Sequence, residues 1–329
     1  MKAMILKQPQ QRLQPSDVGT PSIEANEVLV EVEACGVCRT DLHILDGELK
    51  NAKLPLIPGH EIVGKIVQLG KVVKGFKEGQ RVGVPWLAYT CGKCSFCLNG
   101  QENLCDNAIF TGYTKNGGYG EYVVANENYC FAVPDKFDSI SLAPLLCAGL
   151  IGWRSYRLAG DFKRLGMYGF GGAAHILTQI AHAQGKEIYA FTRPGDEKGQ
   201  KFARQLGAVW AGDSTQAPPH PLDASIIFAP AGPLVLTALK SLRKGGAIIC
   251  GGIHMSDIPA IPYDLLWGER IIRSVANLTR EDARTFFETV ERVPLKTSVT
   301  EYKLENANEA LDDLRATRFE GAAVLSIRP

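Results

Sequence analysis

The run Gly169-Phe170-Gly171-Gly172-Ala173-Ala174 constrains this chain more than any other segment. It closes a short apolar stretch, 165–169, and opens a segment in which Ile176, Leu177, Ile180 and Ala181 share one helical face. Strand, glycine turn and helix in that order begin a βαβ unit, and the spacing fits Gly-x-Gly-x-x-Ala, a form of the dinucleotide fingerprint. Gly169 permits the tight turn, Gly171 lets the backbone approach a pyrophosphate, and Ala174 is small enough for close helix–strand packing. Gly172 stands at the helix start, whose free amides attract phosphate. The helix is predicted to end near Gly185, a C-terminal cap.

Short apolar strands then alternate with helical segments. Strands are predicted at 187–192, 208–211, 225–229, 247–250 and 271–275, with a helix around 199–206. About six strands in this alternation predict a doubly wound parallel sheet with right-handed crossovers. Residues 215–221, polar and Pro-rich, read as a surface loop. The first 150 residues differ: strands at 28–34, 61–69, 81–85 and 120–124 are joined by Gly and Pro turns, which predicts a partly closed β-barrel. From about 293 the chain returns to mixed strand and helix. The expected division is a β-domain of 1–149 plus 293–329 and a dinucleotide domain of 150–292.

Nine cysteines are present, and Cys91, Cys94, Cys97 and Cys105 crowd into one stretch. In a chain this long such a cluster points to metal rather than disulfides, and four thiolates at short spacing suit tetrahedral zinc. Four protein ligands leave no position for substrate, so the site reads as structural. Gly92 and Gly100 help that loop fold back.

Charge and hydropathy exclude other classes. Thirty-six Lys plus Arg against thirty-five Asp plus Glu give +1, which disfavours a broad nucleic-acid or anionic-membrane surface. No apolar run approaches the ~18–20 residues of a membrane span. The first residues lack the long apolar core of a secretory signal, so a cytoplasmic location is expected.

The end of the second strand of the dinucleotide unit sets the cofactor expectation. An NAD site usually carries Asp or Glu about 20 residues after the glycines, for the ribose hydroxyls. Thr192 stands there, followed by Arg193, with Lys198 nearby. Thr192 does not repel a 2′-phosphate and Arg193 can pair with one, so NADP(H) is expected over NAD(H), with NAD(H) still admissible.

Two further motifs stand upstream. Cys35-Gly36-Val37-Cys38-Arg39-Thr40-Asp41-Leu42-His43 is followed by Gly59-His60-Glu61-Ile62-Val63-Gly64, which runs on to Gly70. With the four-cysteine loop and the later nucleotide unit, the chain resembles the zinc-dependent alcohol dehydrogenases of the medium-chain dehydrogenase/reductase family over essentially its whole length. The resemblance implies that the β-domain is GroES-like and that the active site lies in the cleft between the domains. It implies that Cys38, His60 and Cys147 bind a catalytic zinc, with the fourth position open, making two zinc ions per subunit. By the same resemblance Asp41 orients His60, and Glu61 sits behind the metal. A proton relay is implied from substrate oxygen through Thr40 and the nicotinamide ribose to His43, and Arg39 is implied to contact the pyrophosphate. Trp86 aligns with a residue lining the substrate pocket, which Leu45 and Leu49 join; a Trp there suggests primary alcohols or small aldehydes. Ala322 replaces an arginine that many relatives direct at the pyrophosphate, and Cys147 stands where polyol-oxidising relatives often carry Glu. A homodimer or homotetramer is implied, through an edge strand near 271–278. The alternatives are a zinc-free quinone or enoyl reductase on the same fold, which the Cys38, His60 and Cys147 set speaks against, and a non-enzymatic nucleotide-sensing or zinc-ribbon nucleic-acid protein, whose nucleic-acid form the near-neutral charge disfavours.

Overall fold

The computed structural model describes residues 1–328. The chain divides into two compact units, one of Met1–Ala148 with Leu278–Glu288 and the segment from Lys296 onward, the other of Gly149–Asn277 with Thr289–Leu295.

The first unit is built around the long strand Glu27–Val37. Its early residues pair with Tyr122–Asn126, its late residues with Ala322–Ser326, and its whole length with Glu61–Leu69, all antiparallel. Arg81–Val84 and Phe131–Ala132 extend the sheet on one side, and Val299–Lys303 on the other. Register shifts at Leu29/Val30 and Val32/Ala34 bend the central strand, the local effect of β-bulges. Opposite the bend, a side chain on Gly64 would run into the Glu31 carbonyl, with its Cβ 2.1 Å away; glycine permits that approach. The strand expected at 120–124 is found at Tyr122–Asn126, because Gly120 bridges instead to Ala3. Lys2–Ile5, Gln14–Asp17, Leu87–Tyr89 and Ile109–Phe110 are short strands that hydropathy did not reveal.

The second unit contains a six-stranded sheet, every pair parallel, in the order Trp210–Asp213, Glu187–Thr192, Arg164–Tyr168, Leu222–Ile227, Leu242–Cys250, Ile271–Ser274. This is the 3-2-1-4-5-6 order of doubly wound dinucleotide folds. Inner strands are buried on both faces; Ile188, Ala190, Ile226, Ile248 and Ile249 have no exposed surface. Ile176, Leu177, Ile180 and Ala181 turn their common face inward on the helix Gly172–Ala183 and are equally buried. That helix closes with the amide of Gly185 on the His182 carbonyl and the amide of Lys186 on the Ala181 carbonyl, both 2.9 Å, a Schellman ending with Gly185 at φ +71°. Two strands begin earlier than expected, at Leu222 and Leu242. The second starts with exposed Arg243 and Lys244, so hydropathy hides its beginning. Residues 215–221 form the expected loop. Among the described residues no helix is long and apolar enough to cross a membrane.

Gly169 ends the first strand of this sheet at φ +91°, and a Cβ there would stand 2.9 Å from the Ala229 amide nitrogen. Gly169→Ala is expected to destabilise the fold by about 1–3 kcal/mol, through strain in the left-handed region and that clash. A urea titration measures it, and an unchanged midpoint would contradict the turn geometry.

Candidate metal centres and dinucleotide turn

Cys38 follows the long central strand directly and caps the helix Arg39–Leu45. Its amide donates to Asp41 Oδ2 at 2.9 Å, and the Tyr119 hydroxyl donates to the same oxygen at 3.2 Å. The other carboxylate oxygen, Oδ1, lies 3.3 Å from His60 Nδ1, where both side chains are buried. One carboxylate therefore fixes the strand end that carries Cys38 and the imidazole from a separate strand. His60 precedes the strand Glu61–Leu69 at a turn through Gly59, whose φ is +95°. A side chain on Gly59 would press its Cβ to 2.3 Å from the Tyr119 ring. Cys147 ends the 3₁₀ turn Ala143–Leu146.

These elements bring Cys38, His60, Cys147 and Glu61 together, with one donor atom from each within 4.8 Å of the others. The Cys38 and Cys147 sulfurs are 3.7 Å apart. A tetrahedral zinc with Zn–S bonds of about 2.3 Å needs a sulfur–sulfur edge of about 3.8 Å. His60 has no exposed surface; its Nδ1 faces the Asp41 carboxylate, while Nε2 has no hydrogen-bond partner, an expensive state for a buried ring nitrogen unless it ligates a cation. Electrostatics point the same way. Hydrogen bonding with the Cys147 sulfur, helped by the His60 ring, holds the Cys38 thiol well below its usual range despite burial. Burial, followed by the charge on Cys38, pushes the Glu61 carboxyl well above its usual range. Two sulfurs and a carboxylate so close cannot all be anionic without a positive charge among them. The residues present thus fit a divalent ion with an affinity for sulfur and nitrogen.

Glu61, expected beside the metal, contributes an oxygen to the set of converging donors. Gly36, its cross-strand partner, makes the room: a Cβ there would stand 1.9 Å from Glu61 Oε2. Thr40 is buried with its hydroxyl oxygen 3.7 Å from the Cys38 sulfur. His43, on the last turn of the same helix, pairs through Nδ1 with the Glu48 carboxylate, which sequence reasoning missed. Trp86 meets the His60 ring edge to face at 4.9 Å and stacks on Phe110 and Tyr113 at 5.2 and 5.5 Å. Leu45 and Leu49 are half-buried around the turn that follows the helix, and Arg39 is exposed on its first residue.

The second cluster holds Cys91, Cys94, Cys97 and Cys105 with their sulfurs within 4.8 Å of one another. Cys94 and Cys97 are 3.5 Å apart, Cys91 and Cys97 3.9 Å, again near the tetrahedral edge. Gly92 and Gly100 have φ near +69° and +68°, so the loop doubles back at both. The amides of Lys93 and Cys94 point at the Cys91 sulfur and bring its thiol down to about 6, which favours the thiolate a metal needs. Glu102 within this lobe accepts from the amide and the Nε of Arg280, at 2.9 and 3.2 Å. The Arg280 guanidinium lies 5.5 Å above the Tyr129 ring, whose hydroxyl hydrogen-bonds Thr90 at 2.6 Å.

In the second unit Gly171 caps the helix Gly172–Ala183, and a side chain there would meet nothing within 4 Å. Space remains open before the helix N-terminus, which is what close approach of a pyrophosphate requires. Ala174 is fully buried. Thr192 is buried too; its hydroxyl reaches the Arg193 and Gly212 carbonyls at 3.3 and 3.5 Å and accepts from Gln200 Nε2 at 3.2 Å. A carboxylate does stand beside it, Asp213 on the neighbouring strand, but Oδ1 is occupied by the Gly195 amide and Gln200. Arg193 and Lys198 are exposed, Lys198 in the first turn of the helix Glu197–Gln205.

A parallel sheet in this order, with a glycine turn at its switch point, is the architecture of dinucleotide-dependent oxidoreductases. Residues 24–135 match the alcohol dehydrogenase GroES-like domain. A probable alcohol dehydrogenase AdhA of Mycobacterium tuberculosis is 46% identical over 316 residues, covering 93% of this chain and 90% of its own. An alcohol dehydrogenase of Geobacillus stearothermophilus is 35% identical over 339 residues, 100% of this chain and 99% of its own. The solved structure of acetophenone reductase from Geotrichum candidum, in complex with NAD, superposes with a TM-score of 0.89 at 28% identity, over 99% of this chain and 97% of that one. The chain belongs to the alcohol dehydrogenases of the medium-chain dehydrogenase/reductase family, and is an enzyme acting on small molecules.

Gly36→Ala is expected to cost about 1–3 kcal/mol, because the added methyl must displace the buried Glu61 side chain. Chemical denaturation checks this; wild-type stability would mean that Glu61 yields freely.

Proposed function

We propose that this enzyme is a zinc-dependent alcohol dehydrogenase interconverting small primary alcohols and their aldehydes, or small ketones, with NADP(H) preferred and NAD(H) accepted. The observation that carries this reading is the convergence of Cys38, His60 and Cys147 on one point, with the buried Nε2 of His60 lacking a hydrogen-bond partner. A bound zinc supplies a Lewis acid for the alcohol or carbonyl oxygen, and the nicotinamide supplies the hydride acceptor or donor. Cys38, His60 and Cys147 hold the metal. Asp41 keeps the imidazole turned by facing its Nδ1. Thr40 can accept and donate at one oxygen, so it passes on the proton of the substrate hydroxyl. His43, 15% exposed, exchanges that proton with solvent. Trp86, stacked on two aromatic rings, is a stiff wall beside His60, which supports small substrates. Cys91, Cys94, Cys97 and Cys105 hold a second, structural zinc.

For the cofactor, Gly169, Gly171, Gly172 and Ala174 form the pyrophosphate turn, and Arg39 adds a cation. Exposed Arg193 and Lys198 support a 2′-phosphate, with the Asp213 carboxylate engaged elsewhere. The NAD complex of the acetophenone reductase supports the coarser class of nicotinamide cofactor. A homodimer or homotetramer is part of the same reading; Ile271–Ser274 ends its sheet as an edge strand.

Metal analysis with turnover tests this. Cys38→Ser should fall from about two zinc ions per chain to about one and lose turnover by about 10³-fold or more, with the fold retained. Full metal content and full turnover in that variant would refute the zinc assignment. Arg193→Ser should lower catalytic efficiency with NADPH about tenfold and leave NADH efficiency unchanged, the loss of one charge-assisted hydrogen bond. Equal effects on both cofactors would remove Arg193 from the phosphate.

A further inference from the structure

We propose that Glu48 is a positioning residue for the proton-exchanging His43, its carboxylate holding the ring through Nδ1 so that Nε2 takes and releases the proton. The inference rests on the relay role given to His43 above.

Glu48 is attached to His43 twice. Its carboxylate pairs with Nδ1, and its amide donates to the His43 carbonyl at 2.9 Å. The turn between them is tight: Asp46 N donates to the Leu42 carbonyl at 2.8 Å and Gly47 N to the Ile44 carbonyl at 3.1 Å, with Gly47 at φ +75°. Other parts of the unit then clamp the turn. Arg315 grips the Asp46 carboxylate with both terminal nitrogens at 2.7 Å. The Tyr113 hydroxyl donates to the Lys50 carbonyl, and the Lys53 amide donates to the Tyr113 carbonyl at 2.9 Å. A half-exposed glutamate on a loose loop would contribute little to an imidazole five residues away. Here the backbone carrying Glu48 is held from both sides, so the carboxylate stays where the ring needs it.

The chemistry follows from the two ring nitrogens. A neutral imidazole donates at one and accepts at the other. With Nδ1–H committed to a carboxylate, the lone pair sits on Nε2. When Nε2 gains the proton lost from the alcohol hydroxyl, Nδ1–H stays on Glu48, whose charge offsets that of the imidazolium until Nε2 hands the proton to a water molecule. Glu48 itself neither gains nor loses a proton.

A double-mutant cycle on the zinc-loaded enzyme tests this. Glu48→Ala should lower kcat about tenfold with KM unchanged. Glu48→Gln, which keeps an acceptor oxygen at the same reach, should retain most of kcat. In a His43→Ala background Glu48→Ala should cost nothing further. The same tenfold loss with and without His43 would overturn the proposal, as would full kcat in Glu48→Ala while His43→Ala is slow. If His43→Ala itself keeps full kcat, the relay reading fails and Glu48 has nothing to position; that outcome is visible separately, in the single His43 variant. Imidazole ¹⁵N NMR of the wild-type protein, which has six histidines, reads the tautomer once the His43 signal is identified by its loss in His43→Ala. A neutral His43 protonated on Nδ1 is expected, and one protonated on Nε2 would sink the idea.

Discussion

The unit that begins at Met1 turns on one buried carboxylate. Asp41 receives the Cys38 amide and the Tyr119 hydroxyl on one oxygen and faces His60 with the other. Three segments far apart in sequence are thereby fixed around a single side chain. Removing such a group would leave the Cys38 amide and the Tyr119 hydroxyl unsatisfied together and take away the charge that faces the imidazole, each costly in a medium poor in water. The converging donors are thus held by contacts within the chain, which would reduce the ordering that binding a cation must impose.

The packing around that carboxylate is arranged by residues that are not there. Gly59 lets the Tyr119 ring and the Cys35 sulfur close on the turn before His60, and Gly36 vacates the space that the Glu61 carboxylate fills. Glycine here is a means of bringing side chains from neighbouring strands within reach of one point. Beyond this shell Trp86, packed against Phe110 and Tyr113, restrains the His60 ring edge to face. Rigid aromatic packing of this kind keeps a ligand's orientation at low entropic cost.

Much of this was legible in the amino-acid order, for physical reasons. The glycine turn has a fixed length because a strand, a pyrophosphate and a helix start must meet there, and Gly169 and Gly171 took the expected places. The four-cysteine lobe was legible because one short loop supplies every sulfur, and its two glycines have the left-handed backbone that a doubled-back loop needs. His60 and Glu61 were legible as neighbours of one site from the Gly59-His60-Glu61 run, although adjacent residues within a strand face opposite ways. They do meet because His60 stands before the strand, on the turn at Gly59. Asp213 and Glu48 were not legible at all. Asp213 reaches its place through a parallel strand pairing about twenty residues away, and Glu48 through a tight turn whose only sequence sign is Gly47. The early starts of the strands at Leu222 and Leu242 escaped because pairing, rather than apolar content, extends them.

The cysteine-rich lobe also carries an acidic hook. Glu102, 5% exposed, holds the first residue of the helix Arg280–Arg292, and Tyr129, bonded to the residue preceding Cys91, lies beneath that arginine. The sulfur-lined loop thus works as a buckle for a stretch of chain almost two hundred residues downstream, where the polypeptide re-enters the unit it began in. Chelation at this remote lobe would then surface first as fraying near Arg280, in a part of the enzyme that holds no sulfur of its own.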